Sequence, residues 1–331
     1  MRGLLLFLIL ATPRVSLAVV QLPCAGVDDT VAIQAAIDAD TRVNVTGRCL
    51  LNAAVGVHIP SGRTIDATGA SFATLPGCAV HCRAFETVPG ASAVLFYGGQ
   101  VLGDLLSPNG LGFLIDSASG VSVIGTRFAN WKTDAIVIAG NRPSSNVLLS
   151  AVTIEGSGRN HISITNAQDV TVEHSALRHT QPGADPGAGI DVEPNVGEGV
   201  DALLIADTET SDNEVGFYLH PGKGRPGTDY RVIGCRALQN RKYGLVLNSV
   251  IGGAVLGNTI DGAPVSVGGA TLETLATDVT LSKNLITSTR GLILAGVQDS
   301  KVVGNVLVGG RITIVALGVS GEMIVLRNEL R

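Results

Sequence analysis

One short strand pattern recurs five times between residues 134 and 249. The copies are DAIVIAG (134–140), NHISITN (160–166), AGIDVEP (188–194), VGFYLHP (215–221) and YGLVLNS (243–249). Their apolar pairs are Ile136/Ile138, Ile162/Ile164, Ile190/Val192, Phe217/Leu219 and Leu245/Leu247, spaced 26 to 28 residues apart. Less polar versions follow at PVSVG (264–268), GLILA (291–295) and RITIV (311–315). A second strand type falls between them, as in SNVLLSAVTI, QDVTVEHSAL, DALLIADTET and DYRVIGCRAL, with Asp, Asn or Ser at its corner. Alternation with period two means strands, and a fixed period without a helix in the repeat means a stacked solenoid. A β-sandwich lacks this self-similarity. The reading is an all-β parallel β-helix, each coil about 4.8 Å from the next.

Glycine supports many turns, at 42 of 331 residues against a usual share of about 7%. Residues 1–18 read as a signal peptide, with a basic start, an apolar run from Leu4 to Ala11 and a small-x-small site ending at Ala18. The run is shorter than the roughly 20 residues that span a bilayer, and no later stretch is long enough. Residues 19–331 then form a single domain, secreted or periplasmic, with 19–50 as its N-terminal cap region and no membrane span after cleavage. The formal charge of −5 disfavours nucleic acid, because phosphate contacts need clustered Lys and Arg. In an oxidising compartment we pair Cys24 with Cys49, which bracket the first structured segment, and Cys78 with Cys82, which flank a three-residue loop; Cys235 stays free and buried.

One stretch has helical spacing. In DDTVAIQAAIDA (28–39), Asp29 or Thr30 is placed to cap the helix, and Ile33 and Ile37 share a face. A helix of this size suits the open first edge of a solenoid. With its preceding residues, GVDDTVAIQAAIDA resembles the N-terminal capping segment of the pectate-lyase-like (pectin-lyase-fold) superfamily of secreted β-helix proteins. That resemblance implies a right-handed coil with a short capping α-helix and a polysaccharide substrate. It leaves the reaction open, since the superfamily includes hydrolases, lyases, epimerases and non-catalytic members.

Stacking turns the copies into columns. The outward residues read Val137, Ser163, Asp191, Tyr218, Val246 in one column and Ala139, Thr165, Glu193, His220, Asn248 in the next. A third column, Ala135, His161, Gly189, Gly216, Gly244, supplies an open floor, with His161 approaching Asp191 diagonally. Asp191, Glu193, Tyr218 and His220 are therefore the candidate catalytic residues. His161, Lys223, Arg225, Lys242 and Trp131 are candidate substrate contacts. Carboxylates two apart on a strand stand roughly 6–7 Å apart, near the window of about 6.5–9.5 Å used by inverting glycosidases. Glycoside hydrolysis is the preferred reaction, with one carboxylate as acid and the other as base.

The alternatives use the same patch. A uronan lyase or C5-epimerase would employ Tyr218 or His220 for protons and a nearby cation for the sugar carboxylate. A non-catalytic glycan-binding or surface β-helix needs no chemistry at all. The Asn-Thr-Asp, Asp-Asp and Gly-His-Gly set of polygalacturonase-like hydrolases is missing, as is the Asp-Pro-His of mannuronan epimerases. No cofactor is required. A Ca²⁺ held by Asp185, Asp191, Glu193, Glu198 and Asp201 is possible by donor type, without the spacing of a calcium loop. The sequence does not determine the oligomeric state.

Overall fold

A computed structural model describes residues 19–106, 110–268, 275–315 and 322–331. The signal-peptide reading of residues 1–18 lies outside them. Strands pair in parallel with their equivalents one coil away, in a 24-stranded sheet that wraps two sides and an 11-stranded sheet on the third. The 11-stranded sheet carries the sequence copies. Its strands Ile136–Ala139, Ile162–Ile164, Ala188–Val192, Val215–Leu219 and Tyr243–Asn248 stack in that order. Ile136 pairs with Ile162, Ile162 with Ile190, Ile190 with Phe217, and Phe217 with Leu245. These residues are at most 1% exposed and form the axis of the core. Each apolar side chain thus meets its own equivalent above and below, so one repeated pattern specifies register throughout.

The corner Asp and Asn residues have a backbone reason. Asn146, Asp169, Ala202, Asp229, Gly252 and Asp278 occupy equivalent positions in successive coils, all with φ between 51° and 68°. Asn, Asp and Gly tolerate this left-handed conformation best. At a second bend, Asn258, Asn284, Asn305 and Asn328 form an internal ladder. Each Nδ2 donates to a carbonyl of the coil before it, and each of the last three Oδ1 atoms accepts from the preceding member. That ladder satisfies polar groups that burial would otherwise penalise.

The only helix among the described residues, Thr30–Ala39, covers the first coil, with Ile33 and Ile37 fully buried. Its capping differs from expectation. Asp29 occupies the cap position but gives the helix no side-chain hydrogen bond; its carboxylate accepts from Ala25, Gly26 and Leu50 instead. Asp28 accepts the Thr30 N–H. Disulfides join Cys24 to Cys49 and Cys78 to Cys82, and Cys235 is free and buried.

Candidate functional site

The sheet register brings Ser163, Asp191, Tyr218 and Val246 side by side on the outward face. The ladder runs one residue further, since Glu193 N–H donates to Ile164 O and His220 N–H to Val192 O. Glu193 and His220 therefore sit beyond Asp191 and Tyr218 on adjacent coils. The Tyr218 and His220 rings lie 4.3 Å apart between centroids.

Asp191 faces outward yet is only 2% exposed, because Asn160, Ser163, Tyr218 and His220 surround it. Asn160 Nδ2 donates to its Oδ2 at 2.8 Å. Its Oδ1 has no hydrogen-bond partner, and neither does His220 Nε2, which faces it at 3.9 Å. Desolvation, reinforced by the Glu193 charge and opposed by Arg159, pushes the Asp191 carboxyl up to about 8. Desolvation also lowers the His220 imidazole and raises the Tyr218 phenol, the latter with help from the Asp191 charge. Gly222 N–H donates to His220 Nδ1 at 3.1 Å, so the neutral ring carries its proton on Nε2.

A cleft of about 340 Å³ opens beside the pair, lined by Arg159, Ser163, Asp191, Glu193, Asn195 and Lys223 among others. Lys223 thus reaches the patch. Ligand-type oxygens of Asp191 and Glu193 approach within 4.8 Å. That is closer than strand rise alone suggested, and it removes the spacing argument for an inverting pair.

Four expected substrate contacts lie elsewhere. His161 is fully buried, with Nδ1 2.8 Å from Ser157 Oγ and Nε2 3.1 Å from Asn213 Oδ1. His161 directly precedes its strand and Gly189, Gly216 and Gly244 are the second residues of theirs, and at this position the column faces the interior. For the same reason Gly189, Gly216 and Gly244 are not an open floor. A Cβ on them would strike the Thr210 side chain, the Gly244 carbonyl and the Ile260 side chain respectively. Trp131 is 1% exposed, its indole N–H bonded to Val101 O at 3.3 Å, and is core. Arg225 is held by Asp201, through Nη1 at 2.8 Å and through Nη2. Lys242 pairs with Glu214 at 3.4 Å. The five-acid calcium set is not assembled either. Among the described residues, the one group of three His, Cys, Asp or Glu with donor atoms within 4.8 Å is Asp191, Glu193 and His220.

The sequence reading missed the support beneath the pair. Asp134, 2% exposed, accepts Arg159 Nε at 2.9 Å and Nη2, Ser163 Oγ at 3.0 Å and the Asn160 N–H at 3.0 Å. Asn160 Nδ2 also reaches Ser163 Oγ at 3.1 Å. The Asp134 hydrogen bond, joined by the Asp191 and Glu193 charges, holds the Arg159 guanidinium well above its usual range. Arg159 and Asn160 lie in the irregular turn SGRN before the strand, where no periodicity marks them.

Comparison with solved structures gives strong likenesses at low identity, which speak to fold. The pneumococcal surface protein and adhesin PfbA of Streptococcus pneumoniae is 16% identical, covering 93% of this chain and 94% of that one, with a TM-score of 0.62. The A-module of Azotobacter vinelandii mannuronan C-5 epimerase AlgE6 is 14% identical, covering 93% and 96%, TM-score 0.61. A tailspike protein of E. coli bacteriophage HK620, solved with a pentasaccharide, is 13% identical, covering 94% and 64%, TM-score 0.67. Comparison with curated protein sequences gives no match. The family described as periplasmic copper-binding protein (NosD) matches residues 103–330, the greater part of the coil and the whole of the cleft. The chain belongs to the NosD family and, by fold, to the pectin-lyase-like superfamily of right-handed parallel β-helix proteins.

Proposed function

We propose that this is an exported or periplasmic polysaccharide-active enzyme, a glycoside hydrolase with Asp191 as acid and Glu193 as nucleophile. One observation carries the reading: a buried carboxylate with an unpartnered oxygen borders an open cleft, with a second carboxylate within 4.8 Å. Asp191 delivers its proton to the glycosidic oxygen as Glu193 attacks the anomeric carbon; the Asp191 carboxylate then takes a proton from the water that releases the sugar from Glu193. The Nε2–H of His220 then faces the carboxylate that forms on Asp191. Arg159 and Lys223, both on the cleft wall, orient sugar hydroxyls or a carboxylate. Structural neighbours that include a mannuronan epimerase, a polygalacturonase and a tailspike bound to a pentasaccharide support the substrate class.

Copper, named in the family description, does not fit this group as it stands. A ligating imidazole offers one nitrogen to the metal and its other N–H to a neighbour. In His220 the outer nitrogen already accepts from Gly222, and the inner one carries the proton. Two carboxylates alone suit hard cations better than copper. Cys235 is buried apart from the cleft, its thiol against the Ile205 and Ile233 carbonyls. No step is routed through a metal.

The test is to assay wild type, Asp191→Asn and Glu193→Gln on a glycan panel. New reducing ends without absorbance of unsaturated uronates, lost in both variants, support hydrolysis. Unsaturated products identify a lyase, and wild-type activity in both variants removes the site.

A further inference from the structure

On the same sheet face, four to five strands beyond Asp191, lies a second cleft of about 500 Å³. Thr289, Arg290, Ile293, Arg311 and Thr313 line it, with Gly309 and Gly310 as its low wall. Ile293 pairs with Thr313 in the outward column that holds Asp191 and Tyr218, continued through Val246 and Ser266. At about 4.8 Å per strand, Ile293 stands about 19 Å from Asp191 along the axis.

Several cations on this side of the molecule are neutralised: Arg83 pairs with Glu86, Arg159 with Asp134, Arg225 with Asp201, and Arg241 and Lys242 with Glu214. Among the described residues, Arg290 and Arg311 have no carboxylate partner and no acidic residue lines their cleft. Arg290 is nonetheless positioned. Its Nη2 donates to Lys242 O at 3.1 Å, and its guanidinium carbon lies 5.3 Å from the Tyr243 ring centroid. Among the described residues, the Arg311 side chain has no hydrogen-bond or ion-pair partner, and it is exposed. Two guanidiniums without a carboxylate beside them, flanked by two threonine hydroxyls that can also donate, are the chemistry that recognises a carboxylate or sulfate.

We propose that this cleft is an anion-binding subsite for an acidic linear glycan, gripping a sugar-borne carboxylate or sulfate several sugar units from Asp191. That the anion sits on a glycan rests on the function proposed above; the preference for negative charge does not.

The experiment is calorimetric binding to the full chain carrying Asp191→Asn, which prevents turnover. The probes are uronate hexamers, their neutral methyl esters, sulfated hexamers, and inorganic sulfate. An acidic hexamer should bind about tenfold or more tightly than its neutral counterpart. Arg311→Gln should remove most of that preference and Arg290→Gln/Arg311→Gln all of it. Lys301→Gln, an exposed change on the other sheet, should leave it intact. Since the Arg311 side chain has no partner among the described residues, its variant separates lost binding from lost structure. The proposal is overturned if no acidic hexamer shows arginine-dependent binding, or if inorganic sulfate binds as tightly as the hexamers. Failure of the catalytic pair would appear instead as unchanged turnover in Asp191→Asn, with arginine-dependent binding retained.

Discussion

Replacing His161 with Gln measures how completely this imidazole belongs to the scaffold. The ring is fully buried between Ser157 and Asn213, and desolvation moves it from 6.5 to about 3. A group whose folded pKa is depressed contributes stability that is full above its unfolded value and lost as pH falls toward the folded one. Each pH unit in that window is worth about 1.4 kcal/mol. Acidification from about pH 7.5 to about pH 4.5 crosses two units of it and should remove about 3 kcal/mol. Asp191 slopes the other way. Its carboxyl is raised from 3.8 to about 8, so the folded state keeps a proton the unfolded state gives up, and its penalty shrinks as pH falls. The wild-type curve alone therefore conceals both effects. The difference between wild type and His161→Gln isolates the histidine, because Asp191 is common to both. Urea unfolding followed by far-ultraviolet circular dichroism, at about pH 7.5, 6 and 4.5 with disulfides intact, supplies that difference. The advantage of wild type over the variant should fall by about 3 kcal/mol across the range. Parallel curves would mean that His161 titrates like a solvated histidine and that its burial is wrong.

Asp191→Asn and Glu193→Gln should each lower turnover of a responsive glycan by about 10²-fold or more; initial rates decide it. The thermal midpoint of Asp191→Asn at about pH 8.5 should stay level or rise, because a desolvated charge is gone. Asp134→Asn strips Arg159 of its carboxylate, but Arg159 is partly exposed, so a loss of only about 1–2 kcal/mol in urea is expected, together with weakened turnover as Asn160 loosens. Two glycine substitutions should separate crowding from backbone preference. Gly216→Ala drives a methyl against the Gly244 carbonyl and to 2.7 Å from Thr210 Oγ1, for a loss of about 1–3 kcal/mol. Gly252→Ala meets nothing within 4 Å and should lose only about 1–2 kcal/mol, through its φ of 68°. Denaturant midpoints compare the two.

The strands were legible because two periods coincide. Alternation along a strand chooses the face, and the 26- to 28-residue repeat chooses the neighbour, so Ile190 beneath Phe217 and Asp191 beside Tyr218 follow from counting. Counting fails where the chain enters the strand. His161 and the glycines at 189, 216 and 244 keep the repeat but face the interior at the strand's entry, where strict alternation would point them outward. Trp131 and the Asp134–Arg159–Asn160 network lie in turns whose conformation depends on contacts between coils. Arg225 had the right loop but the wrong partner, because Asp201 on the other sheet captures it first.

The position of the cleft follows from unequal connections on an equal scaffold. Most coils leave the 11-stranded sheet abruptly: two residues separate Ile164 from Ala167, and one separates Asn248 from Val250. After Val192 and after Leu219 the connection is seven residues long. Those two segments supply Glu193, Pro194, Asn195 and Lys223 to the cleft wall. They also brace each other, since the N–H groups of Lys223 and Gly224 both donate to Pro194 O. Side chains on a regular ladder are held in place but leave a flat surface. Loops alone would give relief without precision. Two long connections on consecutive coils, directly beside Asp191, provide both, because solenoids accommodate extra length on one face without disturbing the stack.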